Sequence, residues 1–364
     1  MRHRPSVTVA ACLILAVTLA GCTAPGGAVD QTLVVTGEPG IPLAQLDALD
    51  DPRSYVGEST ALLADAAITE PDAVPEQSLP TEVTSHDLDG DTEVTVESTE
   101  RILTMDISGS IAATVFGLGF GDSVVGRDVS TTFPQAIALP VITSSGHTVN
   151  SEAVLALRPT VLITDGSVGP VDVVLQLRDA GIAVVFVDTD PSIDGVGELA
   201  RQVAAALGAP AAGDELATEL VSGIEAKTAE IAAILPSGEP LRIMFLYLRG
   251  SSGIYYLFGK ESGADVLITA LGGVDVAAEI GLDGMRPMTD EAMVAANPDV
   301  ILVMTLGLAS AGGVDGLLES KPAIALTAAG QNRRFVDMAD GDILSFGPRT
   351  ADVLDALARA IYAP

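Results

Sequence analysis

Tyr247 and Arg249 lie two apart in the apolar run LRIMFLYLRG. On a strand, residues two apart face the same side, so a guanidinium would stand beside a phenol oxygen. A free phenol has a pKa of about 10, and an adjacent cation both lowers it and hydrogen-bonds the phenolate. An anionic oxygen of that kind suits a hard ferric ion. Imidazole is the other available donor, and the chain has three histidines, His3, His86 and His147. His86 falls in a polar turn, and His147 in a loop just before a helix. Taken alone, a loop histidine is usually just solvated and Tyr-x-Arg is common on strands, so these residues raise metal ligation without deciding it.

The loop that carries His147 opens a stretch written twice in the chain. Residues 147–163 read HTVNSEAVLALRPTVLI and residues 286–302 read RPMTDEAMVAANPDVIL. They align without gaps at an offset of 139 (291 − 152), matching Glu152 to Glu291, Ala156 to Ala295 and Pro159 to Pro298. Asn150 and Thr289 are good N-caps, each helix has Glu in its first turn, and each must end before its proline. An apolar run of strand length follows both times. Helix, proline turn and buried parallel strand, once in each half, predict two similar α/β lobes with a ligand cleft between them.

Composition fits two lobes. The 364 residues are 48% hydrophobic, with no Trp, 49 acids and 18 bases, a net charge of −31. Such an acidic chain is unsuited to nucleic acid or to an anionic membrane surface. At the start, Arg2, His3 and Arg4 precede an apolar stretch, residues 7–19, too short to span a bilayer. Leu19-Ala20-Gly21-Cys22 then resembles the lipobox of bacterial lipoproteins. Cleavage before Cys22 would place a diacylglyceryl group on it, and two acyl chains anchor stably where one is marginal. The leader takes Cys12 and His3 with it, which leaves no pair of cysteines for a disulfide or a thiolate metal site.

Residues 23–80 hold ten acids, one base (Arg53) and seven prolines, a composition that predicts a self-repelling spacer with an end-to-end distance of about 40 Å. Within it ALLADAAI suggests only a transient helix. Residues 81–96 read as a hairpin turning at Asp-Leu-Asp-Gly-Asp. From ILTMD onward strands alternate with helices, several strands uniformly apolar, as in a parallel sheet covered on both faces. Residues 212–234 form the longest helical pattern, roughly 35 Å at 1.5 Å per residue, enough to join two lobes. A second βα series follows and closes on the helix RTADVLDALARAIY.

This arrangement resembles the substrate-binding lipoproteins of ABC importers whose two lobes are joined by a rigid helix, a group that includes cobalamin, siderophore and haem binders. The resemblance covers roughly residues 81–362, and GHTVNSEAVLALRPTVLI is a specific match. It is similar in particular to the haem-binding lipoproteins of Gram-positive haem uptake, through MDISGSIAATVFGLG, VVGRDVSTTF, SGHTVNSE, FLYLRGSSGIYY and FGPRT. The implied fold is class III: two Rossmann-like lobes with parallel central sheets and a long rigid helix between them. Its segments are a leader at 1–21, the spacer at 22–80, lobes at 81–208 and 239–364, and the joining helix at 209–238. The implied function is capture of ferric haem at the extracytoplasmic face of the cell membrane. Delivery is to an ABC permease dimer with its ATPase, and the membrane is touched only through the lipid on Cys22.

Ferric haem offers two axial positions and two propionates. The family's ligand pair maps onto His147 and Tyr247, one from each lobe, with Arg249 as the hydrogen-bond partner of Tyr247. Propionates need cations, and Arg127, Lys260 and Arg349 are candidates by position after strands or at a helix start. Tyr255 and Tyr256 must face opposite sides of their strand, so at most one reaches the cleft. Met304, ending the strand VILVM, is a candidate apolar contact, although a core Met is the commoner outcome. Glu152 and Glu291 match the surface glutamates that dock into permease arginines; each would also complement its helix dipole.

Rival readings are a cobalamin or ferric-siderophore binder of the same class and a tyrosinate-haem enzyme. Aromatic residues are only 4% of the chain and Trp is absent, which disfavours stacking on a corrin or catecholate. An enzyme would need an open distal position, and an imidazole there would fill it. No G-x-S-x-G occurs, two mature histidines make a poor zinc site, and G-L-G-F-G fails the dinucleotide spacing.

Overall fold

The computed structural model describes residues 40–144, 146–250 and 255–364. The leader, Cys22 and the first part of the expected spacer lie outside these residues, as does most of the Gly-Ser-Ser-Gly turn before Tyr255.

The N-terminal lobe is built on four parallel strands in the order Val124–Gly126, Ile102–Met105, Val161–Thr164, Ala183–Phe186. The central two are buried throughout, because alternate residues feed two separate cores. Ile102, Val161, Ile163 and Val185 pack under helices Ser110–Gly117 and Ile193–Ala206. Leu103, Met105, Leu162 and Val184 pack on Val154, Val174 and Leu177 from helices Ser151–Leu157 and Val171–Asp179. The expected hairpin forms as Thr81–Ser85 and Thr92–Val96.

In the C-terminal lobe the order is Ser59–Ala61, Phe335–Met338, Val300–Met304, Arg242–Leu248, Tyr255–Phe258, Met285–Pro287. The first four are mutually parallel. Tyr255–Phe258 departs from the parallel pattern: it folds back antiparallel on Arg242–Leu248 and pairs antiparallel with Met285–Pro287. The helix Pro210–Ile234 starts two residues earlier than its apolar pattern implies, with proline in the first turn, where no N–H is needed. Its early residues Ala212 and Leu216 pack on the N-terminal core. Ile224 and Ile231 enter the C-terminal core, so one helix is shared by both lobes.

The duplicated unit repeats down to its caps. Asn150 accepts from Ala153 N–H and Thr289 from Ala292 N–H, and the helices Ser151–Leu157 and Asp290–Ala296 end on left-handed Arg158 (φ 46) and Asn297 (φ 41). These too are 139 apart (297 − 158).

Residues 40–80 correct the expectation of a flexible spacer. Ser59–Ala61 adds a parallel edge strand beside Phe335–Met338, and Thr60 Oγ1 donates to Asp337 (2.8 Å). Arg53 pairs with Asp299 and donates to the carbonyls of Glu239 and Pro240. Leu43, Ala61, Leu63 and Ala66 are buried in the C-terminal core, and Ile68 in the N-terminal one. Gln135 then grips Ile68 through both its N–H and its carbonyl (3.1 and 2.7 Å). ALLADAAI forms no helix. Its first residue ends the edge strand, and the rest crosses from one lobe to the other. A few well-spaced apolar residues and a free sheet edge outweigh an acidic, proline-rich average.

Candidate functional site

The strand Arg242–Leu248 sends Ile243 and Phe245 into the C-terminal core and leaves Tyr247, at its C-terminal end, half-buried. Arg249 Nε donates to the Tyr247 hydroxyl at 2.6 Å, with its guanidinium carbon 5.8 Å from the ring centroid. The same-side placement expected from spacing is therefore realised. The hydrogen bond and the attraction to Tyr247 push the basicity of Arg249 up, keeping it a cation beside the phenol oxygen.

The returning strand fixes the ring. Tyr256 lies directly across from Tyr247, their centroids 6.4 Å apart. Phe258 stacks on Tyr247 (5.6 Å, 11°) and on Phe245 (5.1 Å, 5°). Offset stacking of this kind favours one ring orientation by roughly 0.5–1.5 kcal/mol per pair. Phe245 and Phe258 were not singled out in the sequence, since their role depends on an antiparallel register that no local pattern specifies.

Tyr255 and Tyr256 take opposite sides of their strand, as alternation requires, and Tyr255 is the one turned away from Tyr247. It points to the other face, is buried there, and donates to Asp290 Oδ1 at 3.0 Å. Burial first, and then the bond to Asp290, raises its pKa above the ordinary phenol range. It is a core tyrosine bearing on the helix Asp290–Ala296, not a pocket residue.

His147 sits in the turn between the two-residue strands Thr143–Ser144 and Thr148–Val149, exposed, its carbonyl accepting from Gly169 N–H (3.3 Å). The structure thus gathers Tyr247, Arg249 and Tyr256 in one lobe and carries His147 on an open turn of the other.

Two of the candidate cations have other employment. Arg349 is 3% exposed, paired with Asp342, and lies 5.7 Å from the Phe133 ring of the other lobe. It braces the junction between lobes and cannot reach a propionate without leaving Asp342 unpaired. Arg127 is half-buried, donating to the carbonyls of Asp128 and Thr131, and its burial lowers its pKa; it ties its own loop. Lys260 is exposed. Met304 is half-buried against the C-terminal core. Glu152 and Glu291 are exposed near the starts of their helices.

A carboxyl pair escaped the sequence reading. Asp106, at the end of strand Ile102–Met105, is fully buried; its Oδ2 accepts from Ser108 Oγ and Ser110 N–H (2.6 and 2.8 Å). Its own N–H donates to Asp128 Oδ2 at 3.0 Å. Burial, then the charges of Asp128 and Asp165, push the Asp106 carboxyl up to about 8. The motifs MDISGS and GRDVS held both residues, but nothing local reveals that they meet.

A cavity of about 800 Å³ lies away from Tyr247, lined by His86, Asp188, Asp190, Asp194 and Glu198 among others. Four carboxylates would repel the two propionates of a haem, so its size does not make it the haem site.

Two α/β lobes sharing one long helix, with candidate donors on each, define a binding protein of the class III type. The chain belongs to the periplasmic binding protein family, whose pattern matches residues 107–340. Among solved structures it is similar to the haem-binding protein HmuT, with 39% identity and a TM-score of 0.81 over 86% of this chain and 100% of that one. Other HmuT structures carry alanine in place of a tyrosine, an arginine or a histidine, the tyrosine and arginine two positions apart. It is also similar to the periplasmic haem-binding protein RhuT of Roseiflexus sp. RS-1, with 38% identity and a TM-score of 0.67 over 73% of this chain and 98% of that one. An uncharacterized ABC transporter substrate-binding lipoprotein of Bacillus subtilis strain 168, YvrC, is 28% identical over 249 residues, 68% of this chain and 76% of that protein.

Proposed function

We propose that this protein captures ferric haem between its lobes and delivers it to an ABC permease. Tyr247 supplies an anionic axial oxygen from the C-terminal lobe and His147 an imidazole from the N-terminal one. The observation that carries this reading is the 2.6 Å bond from Arg249 to the Tyr247 hydroxyl. A cation held there can hydrogen-bond an anionic oxygen ligand of the kind ferric iron prefers, and the ring stack keeps that oxygen in place before ligand arrives. Similarity to haem-binding structures with a Tyr-x-Arg pair at the same spacing supports it. With both axial positions filled, no site remains for peroxide or oxygen chemistry, so the role is carriage and not catalysis. Glu152 and Glu291 meet cations of the permease, and lipid on Cys22 holds the protein at the outer face of the membrane.

Titrating hemin into the purified protein should give one equivalent bound with a six-coordinate Soret spectrum. Tyr247→Phe should remove most of the affinity and change the spectrum, whereas Tyr256→Phe should leave both in place. Arg249→Ala should weaken binding by about 10–100-fold, as losses around a metal ligand commonly do. His147→Ala should weaken it less and leave five-coordinate iron. An unchanged spectrum in Tyr247→Phe would overturn the ligand assignment.

A further inference from the structure

The two repeated helices turn the same residue types outward. These are Glu152, Leu155 and Ala156 on one, and Glu291, Val294 and Ala295 on the other, all exposed, while Val154 and Met293 behind them are buried. Spacing i, i+3, i+4 puts each trio on a single helix face. Leu155 is 45% and Val294 42% exposed. One exposed aliphatic residue needs no explanation, but an aliphatic residue at the same position beside the same acid in both halves is a repeated surface.

In the C-terminal lobe that surface is hollowed. Glu291, Val294 and Ala295 form one wall of a depression of about 520 Å³, and Pro322, Ala323 and Leu326 form the other. Leu326 is 63% exposed. Asp290, held by the Tyr255 hydroxyl, joins Glu291 in the lining of the depression.

We propose that this depression receives an apolar side chain of the permease, next to the cation that meets Glu291; this rests on the docking reading above. Charge selects the occupant. A second copy of a chain with net charge −31 would bring acid against acid, and an anionic lipid surface would be repelled likewise. A protein surface presenting an arginine or lysine flanked by an aliphatic or aromatic residue satisfies both the carboxylates and the hollow. Such a filled pocket with a charged rim is the usual anatomy of a strong contact.

The test uses the full-length, haem-loaded protein and the permease–ATPase complex of the same cell in lipid nanodiscs. Leu326→Asp and Val294→Asp should each weaken the complex by roughly tenfold or more, and Leu326→Ala by less, with the haem spectrum and melting temperature unchanged. If both aspartate variants bind like the parent while the Glu152→Ala/Glu291→Ala double variant does not, the depression is no contact and only the glutamates dock. If the double variant also binds like the parent, the docking reading falls and this proposal with it.

Discussion

Asp106 shows how a single buried carboxyl ties stability to pH. Burial first, and then the charges of Asp128 and Asp165, push its carboxyl from the ordinary value of 3.8 up to about 8 in the fold. The folded chain therefore holds the proton more tightly, and the stability associated with it is present below about pH 4 and lost as pH rises towards 8. Asp106→Asn keeps an acceptor for Ser108 and Ser110 but cannot ionise. Thermal unfolding of this variant should show a shallower decline between pH 5 and 8; an unchanged slope would rule out Asp106 as its source. Arg349 poses the opposite problem, a cation whose role comes from tertiary partners. Arg349→Ala should cost about 3 kcal/mol or more in denaturant unfolding, because Asp342 is left uncompensated, while hemin affinity stays put. The bond between Tyr247 and Arg249 was legible because it depends on strand alternation alone. The burial of Arg349 was not, because Asp342 and the Phe133 ring converge on it from different loops.

Among the elements, the repeated helix-turn-strand unit was readable to its caps, since Asn150 and Thr289 act within three residues of themselves. Residues 40–80 were misread for the complementary reason. An average over ten acids and seven prolines cannot register that Leu43, Leu63 and Ile68 each meet a core, nor that Phe335–Met338 has an edge to offer. Ile68, 3% exposed, is the sharpest discriminator. Ile68→Ala should destabilise the protein by about 2–5 kcal/mol if this strap belongs to the fold, whereas a mobile spacer would tolerate it within about 0.5 kcal/mol. Chemical denaturation of the purified protein separates the two. The antiparallel return of Tyr255–Phe258 was equally hidden: an apolar run reveals a strand but not its direction, and here direction brings Phe258 onto Tyr247.

At the scale of the molecule, the lobes are joined among the described residues by the helix Pro210–Ile234, by the strap through residues 62–68, and by the junction where Arg349 meets Phe133 and Ser110 Oγ lies 3.4 Å from Ser345 Oγ. Glu152 and Glu291 stand one on each lobe of this braced body, so on the docking proposed above recognition by the permease should depend on both at once. The double variant Glu152→Ala/Glu291→Ala should retain hemin binding and lose most haem uptake in a transport assay; loss of hemin binding instead would remove the docking role. The strap has a further effect on delivery. Leu43 is already in the C-terminal core, so with lipid on Cys22, as proposed, 21 peptide links (43 − 22) would join anchor to core, and covalent geometry limits them to about 70 Å of reach. A tether of that length would confine the cargo to a layer above the bilayer, where a partner embedded in the same membrane would meet it at high effective concentration and hand-over would come close to an intramolecular event.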